Sequence, residues 1–149
     1  MTDELARTLA MIAQVAQGSA DPWWIIGSAA VLLHGGKVDR IKDVDLMMSA
    51  ADAAGFVERT GVSLRRGSGD GQFRSVVFGI WETPPMPVEA FGGFEVMTSG
   101  EWRPVMLASR KAVTVGGAEL FVPSVEELVA LLHLFGRPKD LERARLLSR

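Results

Sequence analysis

The sequence contains no cysteine, and only two of its 149 residues are histidine. These absences exclude disulfide bonds and thiolate metal sites, and they disfavour a zinc site built from histidines. A chain without cysteine also fits a reducing compartment, so we expect a cytoplasmic protein.

Long apolar runs and a strong excess of one charge are missing as well. No uninterrupted apolar stretch approaches the ~20 residues that cross a bilayer, and the acidic first residues differ from the basic start of a signal peptide. The formal net charge is −2, which provides no global attraction for nucleic acid. We therefore expect a soluble protein without membrane contact, folded as a single domain over residues 1–149.

Hydrophobic periodicity in the first part of the chain predicts alternating helices and strands. Apolar residues at helical spacing predict helices over 4–17, 28–34 and 50–60. Short apolar runs predict strands over 23–26 and 44–48. This order is typical of an α/β or α+β unit.

The middle of the chain is rich in strand signals. Apolar residues predict strands at 73–81, 87–91, 94–97, 111–115 and 118–122. The glycine-rich segment 65–71 has the composition of a loop. Glycine pairs at Gly92-Gly93 and Gly116-Gly117 predict two hairpins.

The last third of the chain is predicted to be helical. Ser124 followed by Glu127 is the pattern of a capping box, and it predicts the start of a helix over 125–134. A second amphipathic helix is predicted over 139–147.

Two short motifs in the first third of the chain suggest chemistry on a nucleotide. Gly27-Ser28 follows an apolar strand and opens a helix, an arrangement that suits a phosphate. Asp43 and Asp45 are spaced i and i+2 on a predicted strand, so both carboxylates leave the same face, ~7 Å apart at ~3.3 Å per residue. Such a pair suits a hard divalent cation such as Mg²⁺, although solvated acids on an exposed strand face would share this pattern.

A third carboxylate would complete a metal site. Glu89 lies between apolar residues on a predicted strand, and Glu95 has the same local pattern on the next one. Burial of such a carboxylate is costly unless a cation compensates it. We favour Glu89 because it is closer in sequence to the two aspartates.

In this order, the motifs resemble the signature of the DNA polymerase β-like nucleotidyltransferases. Asp43 follows Ser28 by 15 residues, which is similar to the smaller members. The segment 25–49 looks most like bacterial minimal nucleotidyltransferases and AbiEii-type toxins, in which an Arg and a Lys often precede the acids, as Arg40 and Lys42 do here. The resemblance extends from Trp23 to Leu147. It implies a nucleotidyltransferase-like α/β (α+β) fold, a mixed β-sheet with flanking helices and a C-terminal helical pair.

The resemblance also implies an activity, the transfer of a nucleoside monophosphate from an NTP to an acceptor hydroxyl. Asp43, Asp45 and Glu89 would be catalytic and would hold Mg²⁺ (or Mn²⁺). Two such ions stabilise the attacking and leaving oxygens.

Nucleotide binding is implied for a second set of residues. Gly27 and Ser28 would hold the phosphates of ATP or another NTP at the helix start. Lys139, Lys42 and Arg40 would neutralise phosphate charge.

The acceptor and the partner are less closely defined. The small size of the chain favours an RNA or protein acceptor, or a partner subunit that shapes the acceptor side. The resemblance implies a toxin–antitoxin setting, with an antitoxin or a second copy of the chain as partner. A small-molecule acceptor is the alternative enzyme hypothesis.

Two positions depart from the pattern of the relatives. Ile41 stands where many carry Thr, and Arg143 stands where the toxin-like relatives often carry a further Asp. These departures support a different hypothesis, a catalytically degenerate module that binds nucleotide or protein with the same fold.

Overall fold

The computed structural model describes residues 1–148, with residues 66–68 described by their backbone alone. Its helices are α1 Asp3–Ala16, α2 Gly27–Leu33, α3 Ala50–Thr60, α4 Val125–Phe135 and α5 Pro138–Leu147. Its strands are β1 Trp24–Ile26, β2 Val44–Met48, β3 Arg65–Gly69, β4 Phe73–Trp81, β5 Val88–Gly92, β6 Glu95–Thr98, β7 Glu101–Pro104, β8 Lys111–Val115 and β9 Ala118–Val122. None of these helices combines the length and apolar character that a bilayer span requires.

The main sheet is mixed and has seven strands. Six follow the order β1-β2-β5-β4-β6-β7, and β3 pairs with β4. Strands β2 and β5 run parallel, whereas the other described pairs are antiparallel. The predicted β8–β9 hairpin is confirmed and forms a separate two-stranded sheet. The predicted fold class, a mixed sheet with flanking helices and two C-terminal helices, is confirmed.

The alternation of β2 divides the apolar core between the two faces of the sheet. Val44 and Leu46 belong to the larger core, which also contains buried residues of α1, α2 and α3. Met47 belongs to a second core with Phe91 of β5 and Phe135 of α4. Because successive side chains leave opposite faces of a strand, Asp45 shares the face of the second core.

The loop predicted over 65–71 is wrong, because β3 occupies 65–69 and pairs antiparallel with β4. Glycine-rich sequence favours loops, but here the long neighbouring strand β4 provides hydrogen-bonding partners along its free edge. The edge pairing overrides the local preference.

The hairpin predicted around Gly92-Gly93 is also wrong. Strands β5 and β6 do not pair with each other; β5 pairs with the C-terminal half of β4 and β6 pairs with residues 73 and 74 of the same strand. Gly93, with a φ of +63°, forms the bend between them. Strand β6 instead forms a hairpin with β7, an element that the sequence patterns missed.

The start of α4 carries half of the predicted capping box. The Ser124 hydroxyl accepts a hydrogen bond from the Glu127 backbone N–H at 3.1 Å. The Glu127 carboxylate does not return to Ser124 but accepts from the backbone N–H groups of Ala108 and Ser109, each at 2.8 Å, and from the Ser109 hydroxyl. Glu127 therefore ties the segment before β8 to α4.

Burial alone would raise the pKa of Glu127, but its hydrogen bonds from Ala108 and Ser109 outweigh burial and hold the pKa below its ordinary value. A lowered pKa contributes stability above the unfolded-state pKa, and that contribution is lost as the pH falls through the folded-state pKa. The link to α4 is thus strongest when Glu127 is ionised.

We expect Glu127→Gln to lower the free energy of unfolding by about 1 kcal/mol at pH 7, which is roughly 3 °C in Tm. The difference from the wild type should shrink below about pH 4, as measured by thermal melts across pH. The exposed neighbour supplies the control, Glu126→Gln, which should change Tm little. A Glu127→Gln deficit that persists unchanged at acid pH would contradict a charge-dependent link.

Candidate active site

The parallel register of β2 and β5 brings the three predicted acids together. Asp45 lies directly opposite Glu89, and Asp43 precedes Asp45 by two residues on the same face. One carboxylate oxygen from each lies within 4.8 Å of the others, and all three side chains are half-buried. The alternative acid Glu95 lies on β6 and forms an ion pair with Arg74, with 2.7 Å between Oε1 and Nε.

This cluster concentrates negative charge. Burial, a hydrogen bond with Glu89 and the charges of Glu89 and Asp43 raise the pKa of Asp45 well above its ordinary value. Ionising all three acids therefore calls for a compensating cation. Carboxylate oxygens are the ligands that Mg²⁺ and Mn²⁺ prefer, so the residues present fit a hard divalent cation.

The turn from β1 to α2 lies directly against the acids. Ile26, the last residue of β1, is paired with Asp45, and Gly27 then adopts a φ of +69°. A Cβ built on Gly27 would lie 2.5 Å from Oδ2 of Asp45, so only glycine fits this position without moving the carboxylate. Ser28 follows as a buried residue of α2. The Gly-Ser motif and the acids are thus parts of one site.

In the described part of the chain, the predicted phosphate-binding cations form no ion pair with the acids. Arg40 and Lys42 are exposed in the segment before β2, and Arg40 lines a separate groove with Glu4 and Met86. Lys139 is exposed in the first turn of α5. In that turn the fully buried Asp140 accepts hydrogen bonds from the backbone and side chain of Arg137.

Arg143, one of the two positions that depart from the pattern of the sequence resemblance, acts on the cluster. Its positive charge lowers the pKa of Asp45, against the larger effects that raise it. The side chain is half-buried on α5. A positive charge on α5 therefore acts on the acidic cluster.

A cleft of about 480 Å³ extends from the acids over the sheet, and sequence reasoning did not identify it. Asp45 and Glu89 line one part of it, and Phe78, Ile80 and Phe91 share their face of the sheet. The alternation of apolar residues in β4 and β5 was visible in the sequence. Only the register between the two strands shows that their side chains lie side by side. The site therefore combines an acidic cluster with an adjoining aromatic cleft.

No protein-family model and no curated protein sequence matches this chain. Solved structures do match it, and a candidate nucleotidyltransferase from Thermotoga maritima superposes with a TM-score of 0.81 at 24% identity, over 97% of this chain and 92% of that one. The antibiotic-resistance factor ANT(2'')-Ia gives a TM-score of 0.63 at 15% identity, over 99% and 84%. The lincosamide antibiotic adenylyltransferase LnuA gives 0.59 at 13% identity, over 99% and 96%. The chain therefore adopts the nucleotidyltransferase fold.

Proposed function

We propose that this protein is a Mg²⁺- or Mn²⁺-dependent nucleotidyltransferase that moves a nucleoside monophosphate from an NTP to an acceptor hydroxyl. The observation that carries the proposal is the convergence of Asp43, Asp45 and Glu89 beside the Gly27-Ser28 turn. The fold shared with nucleotidyltransferases supports it.

In the proposed reaction the acceptor oxygen bonds to the α-phosphorus, and the bond from that phosphorus to the bridging oxygen breaks. Pyrophosphate leaves, and the hydroxyl proton passes to a carboxylate oxygen of the cluster. Asp43, Asp45 and Glu89 would hold the metal, which supplies charge stabilisation for the attacking and leaving oxygens. The burial that raises the pKa of Asp45 also strengthens its electrostatic interaction with a bound cation.

The phosphates are assigned to the turn beside the acids. Gly27 permits close approach of the backbone, and Ser28 offers a hydroxyl at the start of α2. Lys139, Lys42 and Arg40, which are all exposed, are proposed to neutralise phosphate charge.

The structural neighbours favour a small-molecule acceptor. LnuA is a lincosamide antibiotic adenylyltransferase, and ANT(2'')-Ia is known in complex with adenylyl-2''-tobramycin. The AbiEii-like setting, with an RNA or protein acceptor and an antitoxin or second copy as partner, stays a prediction from the sequence resemblance.

A second candidate function is a module that binds nucleotide without turnover. Arg143 favours it, because its charge stabilises ionised Asp45 and thereby replaces part of what a metal ion would supply. In the enzyme, Arg143 would compete with Mg²⁺ for Asp45. In the module without turnover, it would not.

Label transfer tests the enzyme directly. We expect the protein, incubated with each α-labelled NTP, Mg²⁺ and a cell extract, to transfer label from one or more NTPs. Asp43→Asn/Asp45→Asn should reduce transfer by about 100-fold or more, because loss of the metal ligands removes several kcal/mol of transition-state stabilisation. Asp39→Asn, an exposed aspartate just before the site, is the matched control and should retain activity. Absence of transfer, transfer that does not need the metal, or equal transfer by the double variant would refute the proposed metal-dependent enzyme.

A pair of glycine substitutions tests the role of the turn. Gly27→Ala and Gly35→Ala both place a side chain at positive φ, at about 1–2 kcal/mol each, but a Cβ at Gly35 meets nothing within 4 Å. We expect both to lower Tm, whereas only Gly27→Ala should abolish the rise in Tm on adding Mg²⁺, because it displaces the Asp45 carboxylate. Equal Mg²⁺ responses in the two variants would argue against a metal at Asp45.

Arg143→Gln separates the two candidate functions. For the enzyme we expect it to tighten Mg²⁺ binding roughly two- to fivefold in a calorimetric titration, because one competing positive charge is removed. Arg145→Gln, an exposed substitution on the same helix, should leave Mg²⁺ binding unchanged. If Arg143→Gln instead abolishes NTP binding and leaves the Mg²⁺ titration unchanged, the module without turnover is the better assignment.

A further inference from the structure

The floor of the cleft continues directly from the acidic cluster. Antiparallel pairing of β4 with β5 sets Ile80 opposite Glu89 and Phe78 opposite Phe91, and all four side chains line the cleft. A molecule lying on this floor therefore has its edge beside Glu89. Its hydroxyl group would be next to the proposed metal site, while its body would rest on apolar side chains.

Aromatic rings form the adjoining wall. Phe73 contacts Phe94 and Phe135, with ring centroids 5.8 and 5.0 Å away, and those two rings contact each other at 5.9 Å. Phe94 also packs against Phe91 at 4.8 Å. Phe78 packs against the same second core but makes no ring contact with another aromatic residue in the described chain, and it is half-buried where it lines the cleft. The floor and wall suit a planar or apolar group, because aromatic rings interact favourably in stacked and edge-on arrangements.

Arginines line the rest of the cleft, and one of them has no acidic partner. Arg74 pairs with Glu95, and Arg137 pairs with Asp140 at 2.6 Å while covering the ring of Phe73. Exposed Arg65 forms no ion pair with any described residue.

Of the three described acids that line the cleft, one is not assigned to the metal, and it already accepts two hydrogen bonds at one oxygen. Asp45 and Glu89 are assigned to the metal, and Asp70 accepts backbone hydrogen bonds from Gln72 and Phe73 in the field of Arg137. An acceptor with several ammonium groups would therefore be repelled by Arg65, and these acids would not offer it a set of free carboxylates.

The size of the cleft suits a single small compound. About 480 Å³ lies within the ~300–1,000 Å³ of small-molecule sites. We propose that the acceptor is a small, uncharged or anionic hydroxyl compound that carries a planar apolar group, held in this cleft. This inference rests on the proposed function for the role of the hydroxyl group, which would receive the nucleoside monophosphate. The ligand preference of the cleft can be measured by binding alone.

Binding is tested with Mg²⁺ and the non-transferable analogue α,β-methylene-ATP present, so that turnover is not needed. The probes are 4-nitrophenyl β-D-glucopyranoside, methyl β-D-glucopyranoside with the same sugar hydroxyls but no ring, and polycationic tobramycin. We expect the nitrophenyl glycoside to bind about tenfold more tightly than the methyl glycoside, the ratio that about 1.4 kcal/mol of ring contact provides. Tobramycin should bind most weakly.

Two variants with matched controls locate the preference. Phe78→Leu keeps an apolar side chain in the sheet and should remove most of the nitrophenyl advantage, while α,β-methylene-ATP binds as before. Phe121→Leu, a half-buried ring on the β8–β9 hairpin outside the cleft, should change neither. Arg65→Glu should improve tobramycin binding several-fold, whereas Arg103→Glu on β7 should not. Thermal melts confirm that each variant is folded.

The outcomes separate this inference from the proposed function. Equal affinities for the two glycosides, no detectable binding of the nitrophenyl glycoside, or tightest binding of tobramycin would overturn it. A Phe78→Leu variant that loses α,β-methylene-ATP and not the glycoside would show that the cleft holds the nucleotide base, which also overturns it. Absence of label transfer together with the expected glycoside preference would refute the enzyme and leave the ligand class of the cleft intact.

Discussion

The parallel pairing of β2 with β5 is the constraint on which the site depends. Its register sets Asp45 against Glu89 and keeps the carboxylates within 4.8 Å, an arrangement that like charges oppose. The apolar residues of the same strands, including Val44, Leu46 and Val88, are fully buried on the opposite face. Burial of that face holds the register, so the stability of the core maintains an electrostatically unfavourable cluster.

The elements with strong apolar periodicity could be predicted from the sequence, because local pattern and tertiary environment agree there. Strands β2 and β4 and helix α3 match their predicted bounds, and α1 differs by one residue at each end. The spacing of Asp43 and Asp45 on one strand face also followed from local geometry. The choice of Glu89 over Glu95 did not, since both lie between apolar residues in the sequence and only strand pairing distinguishes them.

The features that the sequence patterns missed depend on contacts between distant segments. Strand β3 forms because β4 offers a free edge, and Gly93 bends the chain so that β5 and β6 pair with successive parts of one strand. The aromatic cleft assembles from β4, β5 and the end of α4, and no local motif marks it. The influence of Arg143 on Asp45 likewise arises from the packing of α5, not from its place in a motif.

Arg137 connects the cleft with helix α5. Its guanidinium covers the ring of Phe73 in the cleft and donates hydrogen bonds to Asp140 of α5. Helix α5 also carries Arg143, whose charge lowers the pKa of Asp45. A molecule that displaces the Arg137 guanidinium from Phe73 would therefore move the residue that caps the start of α5. If a ligand in the cleft changes the affinity of the acids for a cation in this way, the cation must change the affinity for that ligand by the same factor.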